Sequence, residues 1–141
     1  MRKEEQKMWD RLRPKLQALG VRYDRVESPA TAPDFPDLAY TWGRRHGFIE
    51  LKATEIDDKG RLDLRHFTAG QRRWLRNRAP GGATWLLIRV YAPDEMWIVL
   101  KGTLAFAISE RPTVLDIEPF TYLTLNGGVT PEWLRQWLLQ A

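Results

Sequence analysis

The chain has 141 residues, of which 43% are hydrophobic and 28% charged, a composition that is ordinary for a globular domain with one core. It has no cysteine, which excludes a disulfide framework and a thiolate metal site. The charged segment from Arg2 to Lys7 does not resemble a signal peptide, and no apolar run approaches the roughly 20 residues of a membrane helix. We therefore expect a cytoplasmic protein that does not bind a membrane.

The net charge of +4 is unevenly distributed along the chain. Residues 44–78 carry 10 basic and 5 acidic side chains, whereas residues 1–43 carry 8 and 7 and residues 79–141 carry 4 and 6. A positive excess confined to one segment indicates a polyanionic partner, although a solvated charged surface would have the same composition.

The amino-terminal segment predicts a helix at Lys3–Leu19 that ends before Gly20. Pro14 lies inside the pattern and should kink or break the helix. The apolar side chains repeat at helical spacing and form one stripe, made up of Met8, Trp9, Leu12, Leu16 and Leu19. At about 100° per residue, Glu5 falls near the centre of this stripe and Glu4 near its edge. A glutamate there either belongs to a site beside the buried face or is favoured by the helix dipole.

The rest of the chain predicts an alternation of strands and helices. Strands are expected at residues 21–26, 37–42, 48–53, 83–91 and 95–101. Helices are expected at residues 68–78, 102–109 and 131–139, while residues 114–125 have an irregular or extended pattern. This order of elements predicts an α/β domain.

Two short motifs stand out in the first half of the chain: Pro36-Asp37-Leu38 and Phe48-Ile49-Glu50-Leu51-Lys52. The residues around Glu50 are apolar and predict a buried strand. Alternate side chains of a strand share a face, so Glu50 and Lys52 point the same way while their neighbours face a core. Burying such charges is costly unless they pair with each other or hold a metal.

Residues 43–47, with glycine at both ends, predict a turn between two strands. The strands at 37–42 and 48–53 then pair as a hairpin, which brings Asp37 near Glu50 and Lys52. The face that Asp37 occupies depends on the register of this pairing, which the sequence leaves open.

These groups suit phosphodiester hydrolysis. Asp37, Glu50 and the backbone carbonyl of Leu51 are oxygen ligands of the kind that Mg²⁺ or Mn²⁺ prefers. Water bound to such an ion can lose a proton and attack a phosphate. Lys52 could orient that water or stabilise the negative charge of the transition state. The structural alternative is that Glu50 and Lys52 only pair with each other.

The ordered motifs resemble the PD-(D/E)XK nuclease superfamily, with Asp37 as its aspartate and Glu50-Leu51-Lys52 as its (D/E)XK. The closer resemblance, over about residues 4–90, is to the VRR-NUC branch, small nucleases often found in phage. That branch has a helix with a glutamate, then Pro-Asp-Leu, Glu-Leu-Lys, and a helix that starts with a glutamine shortly before Trp-Leu. Here the last element is the segment from Leu64 to Leu75.

The chain differs from the family pattern at two places. It has a second Pro-Asp, Pro33-Asp34, so the catalytic aspartate is open between Asp34 and Asp37; we favour Asp37, because a strand continues from it. Phe35 also stands where the family usually has a glycine or a similar small residue.

The resemblance implies a restriction-endonuclease-like core, with a mixed, largely antiparallel central sheet flanked by helices. We expect a single nuclease domain over residues 1–141, with a core at about 4–100 and a carboxyl-terminal extension at about 101–141. The implied activity is Mg²⁺- or Mn²⁺-dependent endonuclease cleavage of DNA, preferentially branched DNA, by a homodimer in a bacterial or phage-infected cell. A non-catalytic DNA-binding or assembly protein that has kept the fold is the alternative.

The resemblance also implies roles for particular residues. Asp37, Glu50 and Lys52 would be catalytic, supported by Glu5 and Gln71. Gln71 has a structural explanation as well, because Thr68 and Gln71 form a capping-box pattern at the start of the helix at 68–78. The basic residues expected to bind DNA are Arg44, Arg45, Lys59, Arg61, Arg65, Arg72, Arg73 and Arg76.

Overall fold

The described residues, 2–27 and 30–139 of a computed structural model, contain six strands that form one sheet. The spatial order of the strands equals their order in the chain: β1 (Arg22–Arg25), β2 (Leu38–Trp42), β3 (Arg45–Thr54), β4 (Ala83–Val90), β5 (Met96–Lys101) and β6 (Leu123–Asn126). The α-helices are α1 (Lys3–Leu19), α2 (Ala69–Arg78), α3 (Gly102–Ala105), α4 (Val114–Ile117) and α5 (Pro131–Leu138). Short 3₁₀ turns occupy Ala79–Gly81 and Glu118–Phe120.

The sheet is mixed and largely antiparallel, as predicted. Four of its five strand pairs are antiparallel, and β3 pairs with β4 in parallel. A parallel pair needs a crossover connection, and α2 with its flanking segments supplies it. Every residue of β4 is buried, as expected for a strand that is covered on both faces.

Helices cover both faces of the sheet. On one face, α1 and α5 pack on a core that includes Ile49 and Leu51 of β3. On the other face, α2, α3 and the segment at residues 62–67 cover a core that includes Leu86 and Ile88 of β4. Because Glu50 is paired with Leu86 and Lys52 with Ile88, both charged side chains lie on the α2 face, as the alternation predicts.

Helix α1 has the predicted bounds and ends at Gly20, which adopts the left-handed conformation with φ of 75°. The helix continues through Pro14, so the predicted break does not occur. Buried side chains on both sides of the proline hold the helix against the sheet: Met8, Trp9, Leu12 and Leu16. No helix in the described part of the chain has both the length and the apolar character needed to cross a bilayer.

Two boundaries differ from the sequence predictions. The turn between β2 and β3 is only Gly43-Arg44, because Arg45 already pairs with Trp42. Gly43, with φ of 60°, takes the first position of a two-residue hairpin turn that requires glycine there. The predicted turn at 43–47 is therefore too long.

The segment at residues 114–125 is also not simply irregular or extended. It contains α4, which begins with a capping box between Thr113 and Asp116. Strand β6 follows at the edge of the sheet. The predicted helix at 102–109 is shorter, since α3 ends at Ala105. The carboxyl-terminal residues therefore complete the sheet with β6 and cover it with α5.

Gly47 lies in β3 where two neighbouring strands leave no space for a side chain. A Cβ at this position would stand 2.6 Å from the Ala83 carbonyl oxygen and 2.7 Å from Tyr40 Oη. We predict that Gly47→Ala lowers the free energy of unfolding by about 1–3 kcal/mol, the usual cost of overpacking. Urea denaturation measures this. The matched control is Gly81→Ala, because nothing lies within 4 Å of a Cβ at Gly81; equal stability of the two variants would contradict the prediction.

Candidate active site

Asp37 precedes β2 directly and is held against β3. The Leu51 N–H donates a hydrogen bond to Asp37 Oδ2 at 2.8 Å, and Asp37 Oδ1 lies 3.6 Å from Arg25 Nη1. The register that pairs Leu38 with Ile49 places Asp37 opposite Glu50. The hairpin thus brings the two carboxylates together, which is the juxtaposition that the sequence predicts.

Glu50 lies in the interior of the sheet, with a side chain that is 2% exposed. Its burial, and then its hydrogen bond with Asp37 and the repulsion between the two carboxylates, hold the pKa of Glu50 well above the ordinary value. The positive charge of Lys52 acts in the opposite direction, and the negative charge of Glu5 raises the pKa further. The ionised form of Glu50 is therefore only partly compensated, by the positive charge of Lys52.

Lys52 is 7% exposed and lies on the same face as Glu50. Its Nζ donates a hydrogen bond to the His66 carbonyl oxygen at 3.0 Å. Among the ion pairs of the described residues there is none between Lys52 and Glu50. The alternative in which these two charges simply neutralise each other is thus not what the structure contains.

A cleft of about 280 Å³ opens beside Asp37. Its walls bring together residues from α1, β1, the loop before β2, and α2: Glu5, Arg25, Val26, Glu27, Pro33, Asp37 and Gln71. Glu5 therefore lies at the carboxylate site, whereas Glu4 points to Lys7 and pairs with it at 3.3 Å.

Gln71 forms the predicted capping box and also lies in the wall of the cleft. It completes the capping box of α2, because its Oε1 accepts from the Thr68 N–H at 3.1 Å and its own N–H donates to Thr68 Oγ1 at 3.2 Å. Its side chain also lines the cleft beside Asp37. The cap fixes the side chain at the start of α2, so the two roles are compatible.

Asp34, the competing aspartate, lies elsewhere. Its carboxylate packs against Gly70 in the first turn of α2 and is not among the groups that affect the pKa of Glu50. Asp37 is therefore the aspartate beside Glu50.

The basic residues predicted to bind DNA fall into three groups. Arg44 and Arg45 are exposed at the tip of the β2–β3 hairpin. Lys59, Arg61 and Arg65 are exposed in the segment after β3, where Arg65 pairs with Asp63 at 2.9 Å. On α2, Arg73 and Arg76 are exposed.

Arg72 differs from the other basic residues of α2. Its guanidinium lies over the Phe67 ring and donates hydrogen bonds to the Phe67 and Ile108 carbonyl oxygens. It therefore joins α2 to the segment after α3, in addition to any contact with a ligand.

Two residues at the site carried no signal in the sequence. Arg25 of β1 pairs with Asp37 and also donates to its backbone carbonyl at 2.9 Å. The carbonyl of His66 holds Lys52. Both contacts join segments that are distant in sequence, so only knowledge of the sheet order could have identified them.

The donor set beside Glu50 is small. No group of three or more His, Cys, Asp or Glu side chains with metal-binding geometry occurs in the described residues. Protein ligands at this site would thus be the two carboxylates of Asp37 and Glu50 with backbone oxygen, a set that suits a cation retaining several waters.

The sheet, the covering helices and the position of the carboxylates define the class of fold. It is the restriction-endonuclease-like nuclease fold, a six-stranded mixed sheet flanked by helices. A solved structure with this similarity is Hjc, a Holliday junction resolvase from the archaeal hyperthermophile Archaeoglobus fulgidus. The TM-score is 0.57 at 17% sequence identity, over 84% of this chain and 91% of the resolvase.

No protein-family model and no curated protein sequence matches the chain. At 17% identity, the similarity to the resolvase establishes the fold. Membership of the VRR-NUC branch stays a prediction from the sequence motifs.

The raised pKa of Glu50 predicts how stability depends on pH. Below the ordinary glutamate pKa of about 4.3 the carboxyl is protonated in both the folded and the unfolded protein. As the pH rises above this value the unfolded chain ionises first, so the folded state loses stability until Glu50 itself ionises. A glutamine at this position cannot ionise and escapes this loss.

We predict that Glu50→Gln melts several degrees above the wild type at pH 7 in chelator, where 1 kcal/mol corresponds to about 3–5 °C for a chain of this size. The difference should disappear near pH 4. Thermal denaturation followed by circular dichroism measures both, with Glu118→Gln at an exposed position as the control. A Glu50→Gln protein that is less stable than the wild type at pH 7 would show that the ionised carboxylate is compensated.

Proposed function

We propose that the protein is a divalent-metal-dependent endonuclease that hydrolyses DNA phosphodiester bonds. The observation that carries the proposal is the burial of Glu50 beside Asp37 and Lys52 within a nuclease fold. A protein gains nothing in stability from a buried carboxyl whose neighbour is a second carboxylate. Carboxyl groups with strongly shifted pKa values are instead typical of catalytic sites.

The residues present fit a hard divalent cation. Asp37 and Glu50 supply two carboxylates, and a cation between them would favour the ionised form that the protein alone disfavours. The N–H and C=O of a strand residue point to the same side, so the Leu51 carbonyl is directed toward Asp37, to which the Leu51 N–H donates. When bound, Mg²⁺ or Mn²⁺ would supply a water of lowered pKa and neutralise phosphate charge.

Lys52 is suited to bind the attacking water or the phosphate. The His66 carbonyl accepts from one of its three N–H donors, which orients the ammonium and leaves the other donors for a water or a phosphate oxygen. Glu5 and Gln71 line the cleft beside Asp37, where they would contact water or substrate. We propose that the catalytic set consists of Glu5, Asp37, Glu50, Lys52 and Gln71.

We further propose that the substrate is branched DNA and that the protein acts as a homodimer. The structurally similar Hjc is a Holliday junction resolvase, and the VRR-NUC-like motifs suggest the same kind of substrate. Two sites related by a two-fold axis would match the symmetry of a four-way junction. Exposed basic residues of the segment after β3 and of α2, among them Arg65 and Arg73, would contact the phosphates.

The activity is tested with labelled duplex, single-stranded, flap and four-way-junction DNA, in Mg²⁺, Mn²⁺ or chelator. We predict cleavage only with metal and most of it on the junction. Glu50→Ala and Lys52→Ala should each lower the rate by more than about 100-fold while the proteins remain folded, because each removes a group that acts on the transition state. Glu118→Ala is the matched control at an exposed position.

Full cleavage by both variants would contradict this mechanism. Calorimetry separates the remaining alternatives: heat of Mn²⁺ binding that is lost in Asp37→Ala supports the metal site, whereas salt-dependent DNA binding without cleavage in either metal supports a non-catalytic DNA-binding protein. Light scattering of the free protein measures the proposed homodimer.

DNA binding through the α2 face predicts a specific salt dependence. Arg73→Ala should reduce the slope of log K against log salt concentration by about 1, because one phosphate contact releases about one counterion. The matched control is Arg135→Ala on α5, which covers the opposite face of the sheet and is also exposed. Equal slopes for the two variants would exclude α2 from the interface; fluorescence anisotropy over a salt series measures them.

A further inference from the structure

Three aromatic rings pack together, and each belongs to a chain segment that also carries a residue of the candidate site. Phe35 lies 5.7 Å from Phe48 and 5.2 Å from Trp74, and Phe48 lies 5.0 Å from Trp74, with the rings edge to face. We call Phe35, Phe48 and Trp74 the aromatic clamp. Each ring contacts the other two, so the three chain segments that carry them are held in one arrangement.

Each segment of the clamp also carries a residue of the candidate site. Phe35 is two residues before Asp37, in the loop that precedes β2. Phe48 and Glu50 are two residues apart on β3 and share one face of that strand. Gln71 and Trp74 are one turn apart on α2. The clamp therefore sets the distance between the three elements at the point where their polar groups meet.

A second contact fastens the same loop to the same helix. The Asp34 carboxylate packs against Gly70, where an added Cβ would stand 2.5 Å from Asp34 Cγ. Only glycine at this position lets the carboxylate approach the first turn of α2, beside the backbone that bears Gln71.

The contacts of Phe35 and Asp34 add to the hydrogen bonds that hold the loop between β1 and β2. Among the described residues, the Val26 N–H donates to the Asp37 carbonyl, the Phe35 N–H donates to the Ala32 carbonyl, and Arg25 Nη1 donates to the carbonyls of Val26 and Asp37. Asp37 has to stay within 2.8 Å of the Leu51 N–H and beside Glu50. A displacement of about 1 Å is enough to impair a catalytic group.

We propose that Phe35 is a positioning residue: through the aromatic clamp, and with the Asp34–Gly70 contact beside it, it holds the carboxylate of Asp37 on β3 next to Glu50. The catalytic consequence of this role rests on the proposed nuclease function. The structural consequence is that the hydrogen bond from the Leu51 N–H to Asp37 stays intact, and it does not depend on the proposed function.

Hydrogen exchange of single amides by NMR tests the proposal without metal or DNA. In Phe35→Ala the Leu51 amide should exchange at least about tenfold faster, as expected when a hydrogen bond to a charged group is lost. The amide of Val99 on β5, away from the loop, should be unchanged. Phe35→Leu, which keeps apolar volume in the clamp, should restore most of the protection. Phe106→Ala is the matched control, since it removes an exposed ring that contacts α2 through Arg76.

The steady-state kinetics of DNA cleavage provide a second measurement. Phe35→Ala should lower kcat about tenfold or more and leave KM within about twofold, because it misplaces a carboxylate and removes no DNA contact. Unchanged Leu51 exchange in Phe35→Ala, or equal acceleration at Leu51 and Val99, would overturn the positioning role. A wild-type protein that cleaves no DNA would overturn the proposed function alone, because the exchange result decides the clamp independently.

If Phe35→Ala does not fold, the second contact provides the test. Helix propensity alone predicts that Gly70→Ala is stabilising. We expect instead that it accelerates exchange at Leu51 by about threefold or more, and that adding Asp34→Ala reverses part of the effect, because the obstructing carboxylate is gone while the aromatic clamp remains. Gly81→Ala, with nothing within 4 Å of its Cβ, should have no effect. The proposal would be overturned if the Leu51 amide exchanges as slowly in Gly70→Ala as in the wild type. It would also be overturned if the double variant exchanges as fast as Gly70→Ala.

Discussion

The buried carboxyl of Glu50 is the constraint around which the other polar groups are arranged. It lies on β3, an interior strand with β2 on one side and β4 on the other, where water cannot solvate its charge. Its neighbour Asp37 makes ionisation harder, and Lys52 only partly offsets this. Burial and the neighbouring carboxylate therefore favour the neutral form of Glu50.

The topology explains why these groups meet at one place. The hairpin of β2 and β3 sets Asp37 opposite Glu50, and the parallel crossover from β3 to β4 returns the chain through α2 over the same face. The crossover brings the His66 carbonyl to Lys52 and Gln71 to the cleft. The aromatic clamp then fixes the loop before β2 to β3 and α2. Phe35 supplies one of the three rings of this clamp.

Much of the fold followed from local patterns. The apolar stripe of α1 and its end at Gly20, the capping box of α2 and the apolar run of β4 each reflect interactions within a few residues. The same patterns placed Glu50 and Lys52 on one face and Glu5 on the buried side of α1. The errors arose where a local pattern was weak: glycine at both ends of 43–47 predicted a long turn, although Gly47 is needed in β3 for the close approach of Tyr40 and Ala83.

The sequence by itself determined which side chains share a face and which class of chemistry they suit, because strand alternation and helix periodicity are short-range properties. Only the tertiary structure placed Asp37 beside Glu50 and Asp34 against Gly70, added Arg25 to the cleft, and showed that Lys52 donates to a backbone carbonyl. Those outcomes depend on register and on packing between segments that lie far apart in the chain. No periodicity within one segment records which distant segment will lie against it.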